Sequence, residues 1–258
     1  MIQAKNLTKL YGSDIAVNAL TLTVETGERV ILVGSSGSGK TTTLKMINRL
    51  IEPTSGSVSL DGVDTSSLPA HELRRQIGYV FQQVGLFPHM TIGENIAVTP
   101  TLLGWSPDRI MPRVDELLEL VELEPGMRSR YSNELSGGQQ QRVGVARALA
   151  AGPRVMLLDE PFGSLDPLTR QRLQKSFLSI CTGLNLTTVF VTHDMTEALV
   201  LGNRIGVMRD GELLQFGTPY ELLSQPKDEY VYELMSTPQR QAALVNSLVT
   251  GKPTEPVS

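Results

Sequence analysis

"GSSGSGKT", from Gly34 to Thr41, sets three glycines, four hydroxyl side chains and one lysine in eight residues. Before it, "RVILVG" carries an unbroken apolar run from Val30 to Val33, too short for a helix and rich in β-branched residues, which predicts a buried strand. After it, "KTTTLKMINRLI" spaces Leu44, Ile47 and Ile51 as a helix does. The loop therefore joins a strand to a helix N-terminus. Backbone N–H groups point outward there at the positive end of a helix dipole, and glycines let the chain close around an anion without Cβ clashes. Phosphate suits such a loop, and the stretch matches G-x-x-x-x-G-K-[ST] in the strand-loop-helix setting the motif requires. Gly34, Ser35, Ser36, Gly37, Ser38, Gly39, Lys40, Thr41 and Thr42 are thus the candidate nucleotide cradle. In it Lys40 would reach the β and γ phosphates and the Thr41 hydroxyl would ligate Mg²⁺.

Composition narrows what else the chain can be. Its 258 residues, 40% hydrophobic, can bury a real core and suit one large α/β domain or a domain with an inserted subdomain. With 23 basic against 27 acidic residues the net charge is −4, whereas a protein that neutralises many phosphates carries a basic excess, so no nucleic-acid partner is expected. The single cysteine, Cys181, has no internal partner, and "MIQAKNLTKLYG" lacks the apolar core of a signal peptide. A cytosolic chain is expected. No window approaches the roughly 20 apolar residues of a membrane-spanning helix, so membrane association is expected through a partner.

Along the chain, "MIQAKNLTKLYG" and "IAVNALTLTVETGE" alternate partially around a glycine-containing break and predict an antiparallel hairpin. "SGSVSLDGVDT" predicts a short strand with an Asp61-Gly62 turn, and "QIGYVFQQVGLF" an apolar strand over Ile77 to Phe81 that ends in two glutamines. From Thr91 to Ala150 the periodicity is helical, which predicts a helical insertion. Strands resume in "RVMLLDEP" and "TTVFVTHD", and continuous apolar runs alternating with helices mean a parallel sheet covered on both faces. "RIGVMRDGELLQFGTP" reads as a hairpin about Asp210-Gly211. After about Gln239 the order signals fade, and residues 241–258 are expected to form a flexible tail. Arg74 and Arg75 read as an exposed helix face; His71 and His89 read as solvated or packing residues.

The remaining chemistry should sit at strand ends, where open α/β sheets bind ligands. "VMLLDEP" puts Asp159 and Glu160 directly after a buried strand: the first carboxylate suits Mg²⁺, and the second can orient and deprotonate an attacking water. His193 ends the next apolar run, and parallel topology brings it near Glu160, where it can sense the γ phosphate. In "NELSGGQQQRVGVARALAAGP", Ser136 can cap a helix opened by Gly137 and Gly138, with Val143, Ala146 and Leu149 on its inner face and Gly152-Pro153 as its stop. An ordinary capped helix accounts for the serine but not for paired glycines followed by three glutamines and an arginine. This is a second helix N-terminus able to receive an anion.

Over nearly its whole length the sequence resembles the ATPase subunit of an ATP-binding cassette (ABC) transporter. "GSSGSGKT" resembles that family's Walker A, "VMLLDE" its Walker B, "LSGGQQQR" its signature motif, Gln82 its Q-loop glutamine, Ser164 to Asp166 its D-loop and His193 its switch histidine. Tyr11 matches the aromatic that stacks on adenine. The resemblance implies an α/β fold, a P-loop NTPase with a RecA-like core, an antiparallel β subdomain and an inserted α-helical subdomain at about 91–150, all within residues 1–240. It implies ATP and Mg²⁺, with Thr41, Gln82 and Asp159 toward the metal, Glu160, His193 and Gln82 as the catalytic set, and Ser136, Gly137, Gly138, Gln139 and Asp166 completing the nucleotide site. It also implies a head-to-tail homodimer in which each ATP lies between Walker A of one subunit and the Ser136 helix of the other.

"EPFGSLDP" resembles bacterial importers, and "TTTLKMINRLIEPTSG", "LPAHELRRQIGYVFQQVGLFPHMTIGENIA" and "LLGW" are similar to ATPases that serve uptake of glycine betaine, choline or carnitine. The resemblance implies permease subunits, an external solute-binding protein and a place on the cytoplasmic face of the membrane. In importers the region of "QQVGLFPHMTIGENIA" forms the groove that receives a cytoplasmic helix of the permease. Some members continue into paired CBS modules; fewer than 20 residues follow Gln239 here, which puts ionic-strength sensing through such modules in doubt. Two other readings are an importer ATPase for another small solute, such as an amino acid, and a soluble ABC ATPase acting on ribosomes or DNA. The second usually has two cassettes or coiled coils and a basic surface.

Overall fold

The computed structural model describes residues 1–163 and 165–250. In chain order it contains β1 (Ile2–Tyr11), β2 (Asp14–Val24), β3 (Arg29–Val33), α1 (Lys40–Ile47), β4 (Ser55–Leu60), β5 (Val63–Asp64), α2 (Ala70–Gln76) and β6 (Ile77–Val80). Then follow α3 (Ile92–Leu102), α4 (Pro107–Leu120), α5 (Gly137–Leu149), β7 (Val155–Asp159), α6 (Pro167–Gly183) and β8 (Thr187–Val191). The last elements are α7 (Met195–Leu201), β9 (Arg204–Arg209), β10 (Glu212–Gly217), α8 (Pro219–Ser224) and α9 (Glu229–Thr250). Two sheets result. One is antiparallel, in the order β2-β1-β4-β5, and the other runs β10-β9-β3-β8-β7-β6 with only β10 antiparallel to its neighbour.

The continuous apolar runs are explained by burial on both faces of the six-stranded sheet. In β3, Ile31 and Val33 belong to the core shared with the helices from α3 to α7, while Val30 and Leu32 face the core shared with α1 and the antiparallel sheet. Two of the three hairpins, β4–β5 and β9–β10, turn on Asp-Gly pairs at positive φ, Asp61-Gly62 (47° and 82°) and Asp210-Gly211 (49° and 82°), the type I′ pattern that follows strand twist. Between β6 and β7 the chain is helical, α3 being closed by a Thr91–Glu94 capping box and α5 by a Ser136–Gln139 box.

One expectation is corrected. The segment 241–250 is helical, as the end of α9, and only 251–258 of the expected tail lie outside the described residues. Leu244, Val245, Leu248 and Val249 there recur at helical spacing and face solvent. Arg74 is exposed on α2 as expected, and its guanidinium also donates to the carbonyls of Asn48 and Arg49, tying α2 to the end of α1. His71 is exposed beside Glu72, and His89 contacts the ring of Phe87.

Candidate active site

The loop from Gly34 to Gly39 joins β3 to α1, and two of its glycines, Gly34 and Gly39, are required by the backbone that lies against them. A Cβ on Gly34 would stand 2.0 Å from the Met208 carbonyl oxygen, and one on Gly39, at φ 96°, would stand 2.4 Å from that of Ala16. No side chain caps α1, whose first-turn N–H groups open onto a cavity of about 400 Å³. Its walls are Ala16, residues 36–42 of the loop, Gln82, Glu160 and His193. Lys40 folds back into its own loop: Nζ donates to Gly34 O (2.9 Å), Ser35 O (2.7 Å) and Ser38 Oγ (3.2 Å). Burial lowers the pKa of this ammonium, against the raising pull of Glu160 and Asp159.

The fully buried β7 delivers Asp159 at its C-terminal end, where the Thr41 hydroxyl donates to Oδ1 at 2.7 Å. Burial raises the Asp159 pKa, and the bond from Thr41 works the other way. Glu160 follows in the left-handed region, φ 47°, its N–H donating to Val191 O. Such a conformation costs a non-glycine residue on the order of 1 kcal/mol. It turns the carboxylate into the cavity, where Gln82 Nε2 donates to Oε2 (3.1 Å) and His193 Nδ1 stands 3.2 Å from Oε1. Sheet order explains the meeting. The strands β8, β7 and β6 are parallel neighbours, and His193, Glu160 and Gln82 each lie one or two residues past a strand end. The arrangement can hold a polyanion at the helix N-terminus and present a carboxylate, fixed from both sides, to a water beside it.

The other expected residues lie apart from this cavity. Tyr11 is exposed at the end of β1 with Lys9 Nζ 5.2 Å above its ring, and it does not line the cavity. Ser136, Gly137, Gly138 and Gln139 open α5 elsewhere; the Ser136 hydroxyl accepts from Gln139 N–H and the Gln139 side chain accepts from Ser136 N–H. Asp166 caps α6 by accepting from Thr169 N–H, and Ser164 lies outside the described residues.

Three features were missed by reading the sequence. Tyr230 of α9 accepts a hydrogen bond from Ser35 N–H, with Arg209 stacked on its ring. Arg147 of α5 donates to Val84 O and Gly85 O just past Gln82, beside a groove of about 300 Å³ lined by Arg74, Arg75, Phe81, Phe87, Val98 and Pro153 among others. Arg170 of α6 joins several groups around His193. Each is a contact between distant segments, and only the spacing of Arg170 from Asp166 on one helix is a local signal.

Comparison with known proteins supplies the context. The family model for ABC transporters matches residues 17–163. The chain is 52% identical, over 91% of its length, to the glycine betaine/carnitine/choline transport ATP-binding protein OpuCA of Bacillus subtilis (strain 168), and covers 62% of that protein. It is 51% identical over 90% of its length to the glycine betaine uptake system ATP-binding protein YehX of Escherichia coli (strain K12), covering 75% of it. It thus spans about three fifths to three quarters of the length of these curated relatives. Among solved structures, a dimeric post-hydrolysis state of the ATP-binding cassette MJ0796 bound to ADP and Pi superposes with a TM-score of 0.79 at 38% identity, covering 84% of this chain and 98% of that one. The phosphate loop, the carboxylate pair at the end of β7 and these matches together mean that the chain belongs to the ABC transporter family, as an ATP-binding domain of it.

Proposed function

We propose that the protein is the ATP-hydrolysing subunit of an importer for a quaternary-amine osmoprotectant such as glycine betaine, choline or carnitine. Residues 1–240 work as one ABC ATPase domain, with 91–150 as its inserted helical subdomain. The observation that carries the enzymatic reading is Glu160, held between Gln82 and His193 above the phosphate loop. Glu160 takes the proton of the attacking water, Gln82 and His193 hold its carboxylate in register, and Lys40 leaves the loop carbonyls for the phosphates. Tyr11 stacks on adenine. The Thr41 hydroxyl and the Asp159 carboxylate, 2.7 Å apart, are hard oxygen donors of the kind Mg²⁺ takes, and its remaining ligands would come from phosphate and water. Bound there, Mg²⁺ neutralises charge on the phosphates.

The exposed N-terminus of α5 lies outside the phosphate cavity of its own chain, which supports a second copy completing the site with Ser136, Gly137, Gly138, Gln139 and Asp166. Two nucleotides buried between subunits then close a homodimer on the cytoplasmic face of the membrane. The groove beside Arg147 receives a cytoplasmic helix of the permease, and a solute-binding protein delivers the cargo. Among the described residues no helix is long and apolar enough to cross a membrane.

The experiment pairs Lys40→Ala in one subunit with Ser136→Arg in the other. Neither homodimer should occlude ATP, whereas the heterodimer restores one whole site and should occlude about one nucleotide per dimer. No occlusion in a confirmed heterodimer defeats the shared site. Deleting the subunit from a strain lacking other osmoprotectant importers should abolish uptake of at least one of labelled betaine, choline and carnitine. Normal uptake of all three counts against the solute class.

A further inference from the structure

The groups behind His193 form a cluster that the hydrolytic reading leaves without a role. Glu197, on the first turn of α7, is 4% exposed, and burial raises its carboxyl pKa. It accepts from the Thr192 hydroxyl (2.6 Å) and from Gln174 Nε2 (3.1 Å). The same Thr192 oxygen accepts from Asp194 N–H, and the Asp194 carboxylate caps α7 by accepting from Thr196 N–H and Glu197 N–H. The two residues that flank His193 are therefore tied to each other and to one buried carboxylate. The cation of the cluster is Arg170, three residues into the body of α6: Nη1 stands 3.4 Å from Asp194 Oδ2, and Nε 4.0 Å from Glu197 Oε1. Its remaining nitrogen, Nη2, donates to Leu165 O (3.1 Å), in the loop that leads into α6. Leu165 packs in turn on the first turn of α5, its Cδ2 only 3.1 Å from where a Cβ on Gly138 would be.

We propose that Arg170 is a positioning residue, which holds His193 against Glu160 by clamping the Thr192–Glu197 segment to the Leu165 loop. The proposal deepens the ATPase reading and rests on it. Its planar guanidinium spreads three nitrogens over several ångströms, so Nη2 can bond the Leu165 carbonyl and Nη1 the Asp194 carboxylate while Nε, which makes no hydrogen bond, stays at ion-pair distance from Glu197; an ammonium gathers its donors on one atom and lacks that spread. Without it Glu197 is a buried carboxylate lacking its counter-charge, and the segment that carries His193 relaxes to hydrate or protonate it. The imidazole then no longer stands at hydrogen-bonding distance from Glu160. Because Leu165 also touches α5, a shift of that helix reaches His193 through the same guanidinium.

The test separates positioning from general support of the fold. In Arg170→Ala, ATP turnover should fall about 10- to 100-fold, the scale of an ångström-sized misplacement. The ATP concentration for half-maximal rate should stay within about two-fold, since Arg170 makes no contact with the phosphate loop. Added to His193→Ala, Arg170→Ala should cost nothing further; losses that multiply would overturn the proposal. Arg170→Lys, which keeps charge without the fork, should recover only part of the rate. The chain has three histidines, which permits a readout without turnover. In ¹⁵N-labelled protein the His193 imidazole resonances should move in Arg170→Ala while those of His71 and His89 stay. If Arg170→Ala does not fold, Arg170→Met with Glu197→Gln leaves no uncompensated carboxylate but still loses the tie to the Leu165 carbonyl, so non-additivity with His193→Ala and a His193 shift should remain. Unmoved His193 resonances, or full turnover in any of these variants lacking Arg170, overturn the clamp. If the wild-type protein hydrolyses no ATP yet Arg170→Ala still moves the His193 resonances, the ATPase reading is overturned and the clamp stands.

Discussion

Helices α1 and α5 both begin in glycine-rich sequence and both offer an N-terminus, yet they are built in opposite ways. The N-cap of α1 is Gly39 in a left-handed conformation, and no side chain answers its first-turn donors. The N-cap of α5 is Ser136 in an extended conformation, and a reciprocal capping box with Gln139 answers two of its donors, those of Ser136 and Gln139. Glycine at the start of α1 is dictated by backbone pressed against it; at Gly137 there is open space. The first N-terminus has no side-chain partner at all, whereas the second is half answered by its own chain.

That contrast can be broken at several strengths. The largest effect is expected from Glu160→Gln, which leaves the α1 cradle intact: ATP affinity should change by no more than a few fold, while hydrolysis falls by about 10² to 10⁴. Steady-state turnover near that of wild type removes Glu160 from the role of base. Next comes the pair Gly39→Ala and Gly137→Ala, compared by chemical denaturation. The first forces a Cβ against the Ala16 carbonyl and should cost about 1 to 3 kcal/mol. The second should be neutral or stabilising by up to about 1 kcal/mol, because alanine is the better helix former. Equal losses would mean that the two ends are not different in kind.

Ser136→Ala removes the cap of α5 and should destabilise the nucleotide-free protein by about 1 kcal/mol. An unchanged midpoint would show that the box contributes nothing. The smallest effect concerns pH. A carboxyl whose folded pKa is raised binds more protons in the folded than in the unfolded chain, so its contribution to stability falls as pH rises from the usual carboxylate pKa through the raised one. Asp159→Asn should therefore gain stability relative to wild type as pH rises through that window, in the absence of Mg²⁺ and nucleotide. A constant difference between the two melting curves at every pH would contradict the burial argument.

What could be read in advance follows the same division. The phosphate loop, the strand ending in Asp159-Glu160 and the strand before His193 are local patterns, since a buried parallel strand announces itself by an unbroken apolar run. Their convergence was legible too, because parallel neighbours align their C-terminal ends. The hydrogen bonds of Tyr230, Arg147 and Arg170 were not. Tyr230 lies 195 residues from Ser35 and Arg147 lies 63 from Val84, so no window of sequence contains both ends of either contact. The end of α9 is a different case: Leu244, Val245, Leu248 and Val249 carry helical spacing that was legible, and what the sequence does not show is that this face points to solvent.

The placement of β3 between β8 and β9 has a consequence for biosynthesis. The turn before β3 is held partly by Gly27 N–H donating to Thr187 Oγ1, 160 residues later in the chain. At roughly 5 to 20 residues per second, the ribosome takes roughly 8 to 30 s to cover that distance. For most of that time Val30 to Val33 and the phosphate loop have been made while both flanking strands of the sheet are still to come. The cradle thus passes its first seconds as a sticky, unpaired strand, and its shape waits for the last third of the chain.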